Sequence, residues 1–152
     1  MKRRKKILAV SSGGGHFVEL LRLRPAFAGH FVVYVTVDEA YREQVAPAPL
    51  HVVGDATRWD RWGLLKTSAQ LTRILLREKP DVVVSTGALP GFFAMLIAKS
   101  IGAKTIWLDS LANVEELSMS GQKIGRFADL WLTQWPELER PGGPRYVGSV
   151  LE

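Results

Sequence analysis

Ile7-Leu8-Ala9-Val10-Ser11-Ser12-Gly13-Gly14-Gly15-His16-Phe17 is the stretch on which the fold turns. Its first four residues are continuously apolar, the pattern of a strand covered on both faces. Three glycines interrupt the chain, and Phe17-Val18-Glu19-Leu20-Leu21-Arg22-Leu23 then resumes with a helical pattern. A glycine turn from strand to helix brings bare backbone N–H groups and a helix N-terminus together, which is a ready anion site. Ser12, Gly13, Gly14 and Gly15 are therefore expected to meet a phosphate or sugar, with His16 on the first helical turn.

The same alternation runs along the rest of the chain. Strands are expected at 6–11, 31–36, 50–53, 81–85, 104–108, 129–133 and 145–147, and helices at 16–23, 39–45, 62–79, 90–101 and 122–127. Continuous runs such as Val82-Val83-Val84 and Ile106-Trp107-Leu108 fit strands buried on both faces. Strands separated by helices imply right-handed crossovers and a parallel α/β sheet, Rossmann-like with helices on both faces. Ligands of such sheets bind beyond the carboxyl ends of the strands. The glycine loop, Thr86-Gly87 and Asp109-Ser110 each follow an expected strand and should share that edge.

At 152 residues, 47% of them apolar and 23% charged, the chain suits one globular domain over 1–152. It has no cysteine, which excludes disulfides and thiolate metal sites. Its three histidines, His16, His30 and His51, lack metal-ligand spacing, and no carboxylate cluster calls for a metal. The net charge of +5 owes much to Lys2, Arg3, Arg4, Lys5 and Lys6. That run reads either as a solvated tail or as an attraction to an anionic membrane surface. No basic motif interleaved with aromatics points to nucleic acid, and no apolar run approaches the length of a membrane span.

The first loop admits three readings. Gly13-x-Gly15-x-x-Val18, with Asp38 about 20 residues on, is two-thirds of a dinucleotide fingerprint, and the missing third glycine places a crowding Val18 against the strand. A purely structural turn is the second reading, and contact with a phosphate or sugar is the favoured one. His16 is either a general base or a turn residue making one backbone hydrogen bond, since a helix N-terminus favours the neutral imidazole that accepts a proton. Glu19, three residues later, could orient His16 or complement the helix dipole. Thr86 and Gly87 could form a second wall of the crevice, and Asp109, Ser110 and Asn113 could hydrogen-bond a sugar or diphosphate. Gln134-Trp135-Pro136 is either packing or a contact surface. Trp59 and Trp62, flanked by Arg58, Arg61 and Lys66, suit a membrane interface or a partly buried helix start. Leu64, Leu65, Leu71, Thr72, Leu75 and Leu76 behind them should pack on the sheet.

With these motifs assembled, the chain resembles the N-terminal half of GT-B glycosyltransferases of the MurG kind. It is more similar still to the free-standing small subunits that correspond to that half. These are the membrane-recruiting subunit of the eukaryotic lipid-linked UDP-N-acetylglucosamine transferase and the PssD-type proteins of bacterial polysaccharide synthesis. The residues that carry the resemblance are Ser12-Gly13-Gly14-Gly15-His16 with Glu19, Lys79-Pro80-Asp81 through Thr86-Gly87, Leu111-Ala112-Asn113-Val114 with Leu117-Ser118-Met119-Ser120-Gly121, and Ala128-Asp129 followed by Gln134-Trp135-Pro136 and Tyr146-Val147-Gly148. The resemblance implies a crevice facing a separately encoded, donor-binding glycosyltransferase subunit, a UDP-sugar donor and a polyprenyl-diphosphate-linked acceptor. It implies no cofactor, His16 as base for the acceptor hydroxyl, and Gly87 lining the acceptor crevice. A cytoplasmic location follows, with membrane contact that is peripheral and electrostatic, or made through the partner, in place of the eukaryotic transmembrane helix. Two alternatives stand beside it: a non-catalytic scaffold subunit and a stand-alone NAD-type nucleotide-binding protein.

Overall fold

The computed structural model describes residues 3–57 and 59–151; Lys2 and Arg58, two of the basic residues singled out above, lie outside the described residues. Seven strands form one parallel sheet: β1 (Lys6–Ser11), β2 (Phe31–Thr36), β3 (Leu50–Val52), β4 (Val82–Gly87), β5 (Lys104–Leu108), β6 (Leu130–Thr133) and β7 (Arg145–Tyr146). Their order is β3-β2-β1-β4-β5-β6-β7. The chain runs outward from β1 in one direction and from β4 in the other, so the strand order reverses between β1 and β4. In open parallel sheets that reversal opens the ligand crevice.

Five α-helices cover the sheet: α1 (Gly15–Arg22), α2 (Arg42–Val45), α3 (Arg61–Glu78), α4 (Ala88–Ser100) and α5 (Met119–Ile124). Alternate residues of β1 serve two cores. Leu8 and Val10 pack with Leu71, Leu75, Ala94, Met95 and Trp107, whereas Ile7 and Ala9 pack with Phe17, Leu20, Phe27 and Tyr34. Each buried Leu or Phe contributes about 1.5–3 kcal/mol of transfer free energy. At the amino edge, two aspartates lash neighbouring strands together. Asp81 accepts from the Lys6 N–H at 2.8 Å, and Asp129 accepts from the Thr105 N–H at 2.8 Å.

The structure departs from the sequence expectations at several places. The long helix buries Thr67, Leu71 and Leu75, while Leu65 and Leu76 stand 62% and 55% exposed. At 100° per residue the 67-71-75 row faces the sheet, and Leu76 is turned a quarter circle away. The expected helix at 39–45 is a 3₁₀ turn, Glu39–Tyr41, followed by the single turn α2. The expected helix at 122–127 begins earlier, because Ser118 caps it by accepting from the Gly121 N–H, and it ends as a 3₁₀ turn over Gly125–Phe127. Strand β4 runs on through Thr86 and Gly87, and α4 starts at once at Ala88 instead of at Pro90.

Candidate functional site

Two helices begin at the β1–β4 reversal, and neither has a side-chain cap. Gly14 precedes α1 at φ 66°, and Gly87 precedes α4 at φ 141°. Ala88 also has a positive φ of 66°, a conformation costing of order 1–3 kcal/mol that persists where the surroundings impose it. The uncapped ends leave N–H groups and the positive ends of two helix dipoles at one edge of the sheet.

The three glycines of the loop are not there for one reason. Gly14 needs its left-handed backbone. Gly15 has no such need, and a Cβ built on it meets nothing within 4 Å; at Gly13 a Cβ would make only ordinary contact with Tyr41 and Val37. Packing therefore accounts for neither Gly13 nor Gly15, and the bare backbone of Gly15 borders open space. A crevice of about 550 Å³ lies beside the loop, lined by Ser12, Gly13 and Gly14 on one side, Asp38, Tyr41 and Asp55 on another, and Ala88, Leu89 and Pro90 on a third.

His16 is half-buried and its Nδ1 lies 3.1 Å from the Thr86 carbonyl oxygen. A carbonyl only accepts, so Nδ1 carries the proton and Nε2 of the neutral ring is left with its lone pair. Thr86 closes the clasp from the other side, its hydroxyl donating to the His16 carbonyl at 2.6 Å. Gly87 makes room for the ring, because a Cβ there would sit 2.6 Å from His16 Nδ1. Thr86 and Gly87 thus hold His16 from behind; the Thr86 hydroxyl, fully buried and already donating, is not a ligand group.

Glu19, which by sequence could orient His16 or complement the helix dipole, has its carboxylate engaged elsewhere. It is 8% exposed and accepts from Ser110 Oγ at 2.9 Å, the Leu111 N–H at 2.7 Å and Gln134 Nε2 at 2.7 Å. Gln134 also donates to the Asp109 carbonyl and accepts from the Val150 N–H. The carboxylate therefore ties α1 to the ends of β5 and β6.

Asp109 and Ser110 do not offer themselves to a sugar or diphosphate either. Asp109 is 1% exposed, and its oxygens accept from Trp107 Nε1, Asn113 Nδ2, the Ser118 N–H and the Ser118 hydroxyl. Ser110, 7% exposed, gives its proton to Glu19 and accepts from the Ala112 N–H. Asn113 is half-buried beside Asp109. Gln134, expected on a contact surface, is 2% exposed, and Trp135 is half-buried with its indole N–H donating to the Leu111 carbonyl at 2.8 Å. Trp59 and Trp62 are 80% and 82% exposed at the start of α3, where Asp60 caps the helix. Val18 is 49% exposed and turned outward, so crowding against the strand is not what sets this loop apart from a dinucleotide fingerprint.

Tyr41 escaped the sequence reading. It lines the crevice and accepts the Gly14 N–H at 2.8 Å. Its position just past the carboxyl end of β2 was the signal that could have found it.

Comparison with known proteins shows what the chain is similar to. The family described as oligosaccharide biosynthesis protein Alg14 like matches residues 53–150, a span that leaves out the glycine loop. The human UDP-N-acetylglucosamine transferase subunit ALG14 is 26% identical, with 95% of this chain and 82% of the human protein covered. The corresponding subunit of Schizosaccharomyces pombe is 35% identical over 47% of this chain and 37% of its own length. Among solved structures, Acinetobacter baumannii MurG matches with a TM-score of 0.77 at 15% identity, covering 95% of this chain and 46% of MurG. A UDP-N-acetylglucosamine 2-epimerase from Rickettsia bellii matches with a TM-score of 0.65 at 14% identity, covering 89% of this chain and 40% of the epimerase. The chain spans less than half of each of these two structures, and the likeness to them is one of fold.

Proposed function

The chain belongs to the Alg14-like oligosaccharide biosynthesis family, and from that premise we propose that it is the acceptor-side subunit of a UDP-N-acetylglucosamine transferase, completed by a separately encoded donor-binding chain. The acceptor is a polyprenyl-diphosphate-linked sugar. Its diphosphate lies against the glycine loop and the start of α4, where two helix N-termini favour negative charge. The acceptor hydroxyl attacks the anomeric carbon of the donor sugar, its proton passes to Nε2 of His16, and the bond to UDP breaks with both electrons leaving on the diphosphate. The partner chain supplies most of the UDP-sugar site.

The observation that carries this reading is the clasp on His16. The ring makes a single hydrogen bond, from Nδ1–H to the Thr86 carbonyl, and that bond leaves Nε2 as the proton acceptor, while Gly87 leaves room for the ring and the Thr86 hydroxyl fixes the His16 backbone. Membrane contact is peripheral and lies at the cytoplasmic face. No helix among the described residues is long and apolar enough to cross a membrane, while Trp59, Trp62 and Leu65 stand exposed beside Arg61 and Lys66. Tryptophan amid basic residues is the composition of an interfacial surface.

The decisive experiment is His16→Ala in the complex reconstituted with its partner chain, a UDP-N-acetylglucosamine donor and a polyprenyl-diphosphate-linked acceptor. Loss of a general base lowers turnover by about 10²–10⁴-fold. Unchanged turnover with an intact complex would leave this chain the role of a scaffold, and tight NAD binding by the single chain would point away from glycosyl transfer altogether.

A further inference from the structure

The loop donor that the crevice would most directly use is already taken. Gly14 N–H donates to the Tyr41 hydroxyl at 2.8 Å. The Tyr41 ring is fixed independently of that bond, since it stacks on the fully buried Phe17 with centroids 4.2 Å apart and planes 30° apart. A phenolic oxygen that accepts one hydrogen bond still has its own proton to give. No acceptor for that proton is found among the described residues, and the residue lines the crevice.

We propose that Tyr41 is a positioning residue for the acceptor: its hydroxyl accepts the Gly14 N–H and donates its own proton to an oxygen of the acceptor's diphosphate. This rests on the reading of the crevice given above and adds to it the group that grips the anion. An ionised phosphate offers only acceptor oxygens, so a hydroxyl that must donate is complementary to it. The amide behind the hydroxyl polarises it and strengthens the donated bond. Asp38 and Asp55 line the same crevice, where their carboxylates can accept from sugar hydroxyls.

The test is Tyr41→Phe in the reconstituted complex, with KM measured for the polyprenyl-diphosphate acceptor and for UDP-N-acetylglucosamine separately. Phenylalanine keeps the stacking on Phe17 and removes the hydroxyl alone. The expected result is an acceptor KM raised about tenfold, the loss of one hydrogen bond to a charged group, with the donor KM unchanged and kcat within about twofold. An acceptor KM that is unchanged, or lower because the freed Gly14 N–H now serves the phosphate directly, overturns the proposal. Binding of farnesyl diphosphate to the single chain gives a second readout that needs no turnover, with the same tenfold weakening expected of Tyr41→Phe. Gly15→Val separates the two levels of the argument, because it adds bulk over the loop at a position whose Cβ has no neighbour within 4 Å, Tyr41 included. If Gly15→Val raises the acceptor KM and Tyr41→Phe does not, the assignment of Tyr41 fails and the crevice stands. If neither variant raises it, the reading of the crevice fails with it.

Discussion

Replacing Glu19 by alanine is the sharpest probe of what that carboxylate does. The substitution leaves three buried donors without their acceptor: Ser110 Oγ, the Leu111 N–H and Gln134 Nε2. A buried donor left unpaired costs roughly 1–3 kcal/mol, so three at the lower half of that range come to about 3–5 kcal/mol. A loss of that size divided by a urea slope of about 2 kcal/mol/M moves the unfolding midpoint down by about 2 M. Urea titration followed by far-ultraviolet circular dichroism reads it directly. Glu19→Gln keeps the shape and one carbonyl acceptor and should lose about half as much. A loss below about 1 kcal/mol for Glu19→Ala would refute the bracing role. So would a Glu19→Gln variant as stable as its parent that had lost turnover a hundredfold, since that result would put the carboxylate in the chemistry.

Three further outcomes follow from the same coordinates. Gly91→Ala should cost about 2–3 kcal/mol through overpacking, because its Cβ would overlap Ser85 Oγ; differential scanning calorimetry should show Tm falling by about 6–10 °C, and an unchanged Tm would be inconsistent with the packing described. The Asp129 carboxyl is held below its ordinary range, first by the Thr105 N–H and, against the opposing effect of burial, by Lys99. A depressed carboxyl stabilises the fold above its unfolded pKa and loses that contribution as pH falls through the lower folded value, so the Tm gap between parent and Asp129→Asn should be full at pH 6 and close below about pH 4; a gap that widens on acidification contradicts the sign. Finally, Trp59→Ser combined with Trp62→Ser should weaken sedimentation with vesicles containing phosphatidylserine, and raised salt should weaken it further; binding untouched by either change would remove this surface from the membrane.

What could be read from the sequence was whatever depends on neighbours along the chain. All seven strands lie within two residues of their expected bounds because Val, Ile and Leu runs bounded by glycine and proline carry their own signal, and the glycine loop announced itself by composition. What could not be read was pairing across distance. Glu19 meets Gln134 across 115 positions and Ser110 across 91, and nothing local to Asp109 or Ser110 says that their polar atoms are used up indoors. The same applies to Thr86, whose hydroxyl serves the backbone of a residue 70 positions away. Exposed-looking polar residues at strand ends were read as ligand groups when the fold spends them on itself. Helix phase failed for a different reason: leucines on both sides of α3 offered two apolar stripes, and only the contact with the sheet chose between them.

The place of β1 at the centre of the sheet bears on when the crevice comes into being. That strand is flanked by β2 and β4, so one of its edges stays unsatisfied until the residues around Asp81 have been synthesised and have returned to Lys6. The ring of His16 then waits on the carbonyl of Thr86, 70 residues downstream. Such non-local closure is paid in loop entropy before any contact rewards it, which makes folding slow and the pairing of the two central strands its committing step. The pairing that closes the middle of the sheet is thus the one that brings Thr86 to the histidine.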